Sequence, residues 1–141
     1  MRRKQNEKFL DLYIALDKAC ADKFDMATGG VTEYINRLNN ARFAPERDKV
    51  LAALIRYRAV RNALVHDPQQ MKKNADIQKS DIAWLKLFSR RLARKQDPIS
   101  CYLKKARRYV RRRRAKRVLL TGFFLLLLLL IFTIVLLIVL K

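Results

Sequence analysis

The sequence predicts an all-α protein, in which a four-helix bundle is followed by a basic juxtamembrane helix and one C-terminal transmembrane helix. Three observations predict this fold class. Apolar residues recur at helical spacing in the first part of the chain, whose few glycines and prolines fall between these patterns. A run of Lys and Arg follows, and then a long run without charge. We therefore divide the chain into a helical domain over residues 1–97, a basic juxtamembrane segment over 98–117 and a transmembrane helix over 118–140.

A glycine turn separates the first two predicted helices. The first helix runs from about Lys4 to Lys23, because its apolar side chains recur on one stripe. That stripe is formed by Phe9, Leu12, Tyr13, Leu16 and Cys20. Thr28-Gly29-Gly30 predicts a turn, and a short second helix follows from about Thr32 to Asn40. The apolar residues of this second helix are Tyr34, Ile35 and Leu38.

Proline marks both ends of the third predicted helix. Pro45 suits a first helical turn, because its fixed φ matches the helix and its missing N–H is not needed there. Glu46 and Asp48 are favourable near the positive end of the helix dipole. The helix runs to about His66, and Asp67-Pro68 ends it because a residue before proline avoids the α region.

A polar loop over residues 67–79 precedes the fourth predicted helix. Ser80 is its predicted N-cap, and the helix runs to about Lys95. Its inward-facing residues are Ile82, Leu85, Phe88 and Leu92, and Trp84 closes one side. Asp97-Pro98 breaks the chain again, and a helix from Ile99 is predicted to run through the basic stretch into the apolar run.

The apolar run from Val118 to Leu140 has 23 residues and no charged side chain. As a helix it is about 34 Å long, which exceeds the roughly 30 Å of a bilayer's hydrocarbon core. The alternative is a buried core helix. We favour a membrane span, because no soluble domain of this size could cover such a helix on every face.

The segment before this run is strongly basic. Residues 104–117 contain no acidic residue and ten cations. These cations are Lys104, Lys105, Arg107, Arg108, Arg111, Arg112, Arg113, Arg114, Lys116 and Arg117. Only Lys141 follows the run, and this asymmetry predicts that the N-terminal domain is cytoplasmic. Residues 1–103 keep 21 basic and 12 acidic residues, a charge of +9 that modestly favours a polyanionic partner.

Two readings of the ten cations stay open. As a membrane-surface segment they rest against anionic lipid headgroups, at about 1 kcal/mol for each cation near the surface. They could additionally contact RNA phosphates. We favour the membrane reading, because Tyr102 and Tyr109 are too few aromatic residues for a base-stacking platform.

The sequence predicts neither a metal site nor a cofactor. It has one histidine and no Cys-x-x-Cys pair, so the spacing of a zinc site is missing. The two cysteines, Cys20 and Cys101, are expected to be free thiols in a reducing cytoplasm.

The residues with chemical potential lie near the end of the third helix, in Arg61-Asn62-Ala63-Leu64-Val65-His66. On a helical wheel the apolar arc of this helix contains Val50, Leu51, Leu54, Tyr57, Leu64 and Val65. Arg61 falls inside the arc, where a cation must either snorkel to solvent or meet a buried partner. Asn62 and His66 are four residues apart and share a face beside it. One interpretation is structural: Arg61 forms a core ion pair, while Asn62 and His66 cap the helix.

The same six residues resemble the signature of the HEPN superfamily, an Arg with a polar neighbour and a His four to six positions after the Arg. The resemblance covers roughly residues 5–95 and implies a helical domain that forms a homodimer, with two motifs in one cleft. Many such domains are metal-independent endoribonucleases. By position, Arg61 would stabilise charge on the scissile phosphate, His66 would transfer protons and Asn62 would orient the phosphate or His66.

The sequence therefore favours a membrane-tethered HEPN-like endoribonuclease acting on cytoplasmic RNA, with toxin or defence biology as an analogy. The alternative is a non-catalytic HEPN-like module that dimerises or binds a partner at the membrane. A third reading is a tail-anchored scaffold in which Arg61 is structural.

Overall fold

The computed structural model describes residues 2–66 and 77–140, and in these residues the chain forms helices joined by short turns. The helices are α1 Arg2–Phe24, α2 Gly30–Asn40, α3 Arg47–His66, α4 Lys79–Ala93 and α5 Pro98–Val139. No strand occurs in the described ranges, so the predicted all-α class is confirmed there. The Asp67-Pro68 break and most of the predicted polar loop lie outside the described residues.

The chain divides into two compact units, one ending at Tyr102 and the other beginning at Leu103. In the first unit α1 packs against α2, α3 and α4, and α2 also packs against α3. Ile99 is buried and Tyr102 packs on the same core, so the first turn of α5 belongs to this unit. The predicted division after residue 97 would assign that turn to the basic segment instead.

Aromatic rings form much of the core of the first unit. The Tyr57 ring contacts Phe9 at 5.7 Å between centroids and Trp84 at 5.2 Å. Trp84 stacks on Phe88 at 4.8 Å, and Phe88 meets the Tyr34 ring edge-on at 5.5 Å. These contacts join all four helices of the bundle, because the rings come from α1, α2, α3 and α4. Trp84 thus closes one side of the core, as its spacing on α4 predicts.

Helix α3 begins two residues later than the sequence indicates. Pro45 does not form its first turn, because Glu46 has a φ of +55° and interrupts the helical path. The carbonyl of Glu46 accepts the first helical hydrogen bond, from the Val50 N–H at 3.0 Å. The Glu46 carboxylate reaches α4, where it pairs with Arg91 at 2.7 Å.

Helix α4 begins before Ser80, so the predicted N-cap is wrong. Gln78 is the N-cap, and its backbone N–H donates to the Asp81 carboxylate at 2.9 Å. Asp81 is buried, and its carboxylate also accepts a hydrogen bond from the Tyr57 hydroxyl, with 3.0 Å between the oxygens. A capping box between Gln78 and Asp81 therefore marks the start of α4, and the contact of Asp81 with Tyr57 on α3 supports it.

The start of α5 is held by a buried carboxylate that the sequence indicates only as a chain break. Asp97 is fully buried, and one of its oxygens accepts hydrogen bonds from Lys23 Nζ at 2.6 Å and the Tyr34 hydroxyl at 2.8 Å. The same oxygen accepts the Ser100 N–H at 3.2 Å, which is the contact of an N-cap residue. Pro98 follows at the first helical position, where proline is favoured.

Candidate functional site

Arg61 and Asn62 lie side by side at the edge of an open cavity. The Arg61 Nη1 donates to the Asn62 Oδ1 at 3.2 Å. The cavity has a volume of about 360 Å³, within the range of small-ligand sites. Helices α1 and α3, together with the turn and first residues of α2, contribute its walls. The lining residues are Tyr13, Ile14, Asp17, Thr28, Gly29, Thr32, Arg58, Arg61 and Asn62.

Arg61 reaches the cavity because of its position on α3. It lies seven residues after Leu54, almost two full turns, and therefore faces the same side of the helix. Leu54 is fully buried, whereas Arg61 is only half-buried and lines the cavity. Arg61 forms no ion pair with any carboxylate in the described part of the chain, so the core ion pair of the structural interpretation is not formed there.

Tyr13 contributes a buried phenol to the same cavity. Only 5% of its surface is exposed, and its hydroxyl forms no hydrogen bond with a described residue. Burial raises the pKa of Tyr13 to about 12, and the charge of Asp17 adds to this rise while Arg61 and Arg58 oppose it. The phenol therefore keeps its proton at neutral pH and can donate a hydrogen bond to a ligand.

Asp17 links the cavity wall to the start of α2. Its Oδ1 accepts the Val31 N–H at 2.8 Å, which satisfies one of the free amides at that helix end. Gly29 precedes the helix with a φ of +73°, a conformation that glycine adopts without cost. Asp17 and this glycine turn together hold Thr28 and Thr32 at the cavity.

His66 lies in the last turn of α3 and is exposed to solvent. It is four residues after Asn62, so the two side chains project from the same face of the helix. His66 is not among the residues that line the cavity. The structure therefore brings Arg61 and Asn62 together at one cavity and places His66 one turn beyond them on the helix surface.

Val65 does not belong to the apolar arc as predicted, because half of its surface is exposed. Leu64, which was also predicted in this arc, is buried with Val50, Leu54 and Tyr57. The last turn of α3 thus presents a narrower apolar side to the core than the first turns do, and Val65 and His66 face outward together.

Arg58 and Tyr13 are among the seven cavity residues that the sequence did not predict as site residues. Arg58 is three residues before Arg61 and four before Asn62, so the helical spacing alone could have grouped it with them. Tyr13 was assigned to the apolar stripe of the first helix. No sequence signal separates a tyrosine whose hydroxyl opens into a cavity from one that is wholly in the core.

The ten predicted cations of residues 104–117 lie on α5 and are all exposed. The helix continues from them into the apolar run, and it is long and apolar enough to cross a membrane. In residues 2–66 and 77–140, no group of three or more His, Cys, Asp or Glu side chains could hold a metal ion. Cys20 is buried and Cys101 is half-buried, and both are free thiols.

These features define a class of protein: a small helical bundle with an Arg–Asn pair at an open cavity, followed by a basic and then apolar helix. The chain belongs to the DUF6548 family, a family of unknown function whose profile matches residues 7–121. The match includes the bundle, the basic segment and the beginning of the apolar run. No curated protein and no solved structure matches the chain.

Proposed function

We propose that this chain is a membrane-tethered, HEPN-like, metal-independent endoribonuclease that acts on cytoplasmic RNA. The observation that carries the proposal is the position of Arg61. A guanidinium at an open cavity, hydrogen-bonded to an amide and free of ion pairs with the described carboxylates, is available to an anion. An arginine with a purely structural role would be expected to form an ion pair with a buried carboxylate.

The reaction assigned to Arg61, Asn62 and His66 is an intramolecular transesterification of an RNA phosphodiester. The ribose 2′-oxygen forms a bond to phosphorus and the bond from phosphorus to the 5′-oxygen breaks. The products are a 2′,3′-cyclic phosphate and a 5′-hydroxyl. Arg61 stabilises the charge that develops on the phosphate oxygens, and Asn62 orients the phosphate. His66 takes the 2′-hydroxyl proton or supplies one to the leaving oxygen, which are roles suited to an imidazole.

A homodimer would supply both proton-transfer groups, because one chain contributes a single His66. Exposed apolar side chains beside the cavity support this part of the proposal. Ile14 is 59% exposed and lines the cavity, while Ile55 and Val65 are 43% and 50% exposed. Ile55 is three residues before Arg58 and Val65 is three after Asn62, so these side chains flank the polar face of α3. Burial against a second copy would remove this apolar surface from water.

The proposed membrane role rests on α5. Its leucine-rich part is exposed, as expected for a helix whose surroundings are lipid. The ten cations of residues 104–117 would lie at the cytoplasmic headgroups. They would hold the bundle, and its proposed RNA site, on the cytoplasmic side of the membrane.

The orientation gives a direct prediction. Protease added outside intact cells that express the full chain should leave residues 1–103 undigested, because the positive-inside rule places them in the cytoplasm. The measurement is an immunoblot for an N-terminal epitope, and permeabilised cells provide the control in which the epitope must disappear. Loss of the epitope in intact cells would refute the orientation.

Cleavage is tested by expressing the full chain and examining total cellular RNA. We expect breakdown with the wild type and none with Arg61→Ala or His66→Ala. Loss of one group that stabilises transition-state charge lowers rates by about 10²–10³-fold. New RNA ends should carry a 5′-hydroxyl, and EDTA should not slow the purified full chain. Arg90→Ala is the matched control, since Arg90 is an exposed helical arginine outside the cavity. This variant should cleave RNA as the wild type does.

Two outcomes would contradict the nuclease proposal. One is intact RNA with a wild-type chain that is folded and expressed at the level of the variants. The other is unchanged cleavage by His66→Ala. Either outcome, with a dimer still present by light scattering, would favour the non-catalytic interaction module instead.

A further inference from the structure

The cavity has a second feature that points to a ligand, in addition to its two arginines. Only 5% of the Tyr13 surface is exposed, and its hydroxyl has no hydrogen-bond partner among the described residues. The Tyr13 hydroxyl can therefore donate a hydrogen bond to a molecule bound in the cavity that Tyr13 lines. The hydroxyl lies in the electrostatic field of Arg58, Arg61 and Asp17, which line the same cavity.

The cavity therefore combines hydrogen-bond donors with a small net positive charge. Arg58 and Arg61 contribute two positive charges and Asp17 one negative charge, so the ionised lining residues sum to +1. One oxygen of Asp17 is already engaged by the Val31 N–H. The Tyr13 phenol and the hydroxyls of Thr28 and Thr32 add neutral donors. This is the composition expected around a tetrahedral oxyanion that carries one charge.

We propose that this cavity is a seat for one phosphodiester group, in which Arg58 and Tyr13 join Arg61 in binding the phosphate oxygens. The inference rests on the site of the proposed endoribonuclease, because Arg61 and Asn62 are shared. A phosphodiester carries a single negative charge, which the +1 lining neutralises. A terminal phosphate monoester carries nearly two at neutral pH, and its second charge would face the Asp17 carboxylate unpaired. The cavity is thus selective for an internal linkage of a nucleic acid strand over a strand end.

Binding without cleavage tests the seat separately from the reaction. The probes are a 2′-deoxy dinucleoside monophosphate, which has one diester and no 2′-hydroxyl to react, and a nucleoside 5′-monophosphate. Each is titrated by calorimetry into the full chain in lipid nanodiscs at physiological salt. The basic segment adds some non-specific affinity for anions, but this contribution is common to all variants. We expect the wild type to bind the diester at least several-fold more tightly than the monoester.

The variants separate the contributions of the lining residues. Tyr13→Phe should weaken diester binding about tenfold, because a hydrogen bond to a charged group is lost. It should leave the melting temperature unchanged, since the hydroxyl has no described partner in the protein. Arg58→Ala should weaken binding by about tenfold or more.

Asp17→Asn keeps an oxygen for the Val31 N–H but raises the lining charge to +2, so it should shift the preference toward the monoester. Arg90→Ala and Tyr109→Phe should bind as wild type.

The results distinguish this inference from the proposed function. Diester binding that depends on Tyr13 and Arg58, in a chain that cleaves no RNA, would support the seat and contradict the nuclease. Cleavage that Arg61→Ala abolishes, but that proceeds in Tyr13→Phe and Arg58→Ala with unchanged KM, would overturn the seat and keep the nuclease. Equal affinity of wild type and Tyr13→Phe for the diester, or tighter wild-type binding of the monoester, would also overturn the seat.

Discussion

Replacing Gly30 with alanine is expected to destabilise the bundle by roughly 3 kcal/mol or more, the upper range for overpacking a well-packed site. Gly30 is buried at the start of α2. A Cβ atom there would overlap the backbone oxygen of Asp17 and the backbone nitrogen of Ala21 on α1. Because the obstacle is helix backbone, no rotamer change can relieve the overlap, and α2 would have to move away from α1.

The displacement would also damage the candidate site. Val31 donates to Asp17 from the residue next to Gly30, and Gly29 and Thr32 line the cavity. A shift of α2 would break that hydrogen bond and open the cavity wall. The proposed phosphodiester binding should therefore fall together with stability in Gly30→Ala, although Gly30 does not line the cavity.

Trp84 allows the measurement to be made on the full chain. It is the only tryptophan, and it stacks on Phe88 inside the bundle, so its fluorescence reports the first unit alone. The matched controls are the other two glycines, since an added Cβ at Gly29 or Gly122 meets nothing within 4 Å. Gly29→Ala should cost only the left-handed strain of about 1–2 kcal/mol, and Gly122→Ala nothing in this readout. If Gly30→Ala had the same melting temperature as Gly122→Ala, the close contact between α1 and α2 would be refuted.

Helical periodicity predicted the elements well because each helix carries its own pattern. The existence and order of the helices follow from apolar spacing, and the ends of α1, α2 and α3 lie close to the predicted positions. The predicted starts of α3 and α4 are wrong, and at each true start a carboxylate also makes a tertiary contact. Glu46 is turned toward Arg91, and Asp81 is shared between Gln78 and Tyr57. No local preference of Pro45 or Ser80 contains that information.

The candidate site was only partly predictable for a related reason. A helical wheel gives the direction of Arg61 but not what lies opposite at that height along α3. Leu54 and Arg61 share a direction, yet packing covers Leu54 fully and leaves Arg61 at an open cavity. Tyr13 and the Thr28–Thr32 turn are brought there from distant positions in the sequence. Such convergence depends on how α1, α2 and α3 pack, and one sequence without a known fold does not give it.

Asp97→Ala is expected to destabilise the bundle by roughly 3–5 kcal/mol, the cost of stranding one member of a buried ion pair. The Asp97 side chain is fully buried and Lys23 is 19% exposed, so solvent screens their contact at 2.6 Å only weakly. The substitution would leave the Lys23 ammonium without a carboxylate partner and the Tyr34 hydroxyl without its acceptor. It would also remove the N-cap of α5, because the Ser100 N–H donates to the Asp97 carboxylate.

A double-mutant cycle isolates the ion pair from the other contacts. Lys23→Met alone leaves a buried carboxylate and should also be costly. The double variant Asp97→Ala with Lys23→Met strands no charge, so its loss should be clearly smaller than the sum of the two single losses. Additive losses in Trp84 unfolding curves would contradict a coupled pair. Asp97→Asn should be milder than Asp97→Ala, because its amide oxygen can still accept from Tyr34 and Ser100.

The same carboxylate should make stability depend on pH in acid. Burial acts to raise the pKa of Asp97, but hydrogen bonds from Lys23, Ser100 and Tyr34 outweigh it and hold the pKa below its ordinary value. A depressed folded-state pKa stabilises the fold above the unfolded value of about 4, and that stabilisation is lost as pH falls through the folded-state pKa. Denaturation of wild type and Asp97→Asn, followed by Trp84 fluorescence from neutral to acidic pH, should therefore show a gap that closes in acid. A gap that is constant or widens toward low pH would show that Asp97 is not held as a carboxylate by Lys23.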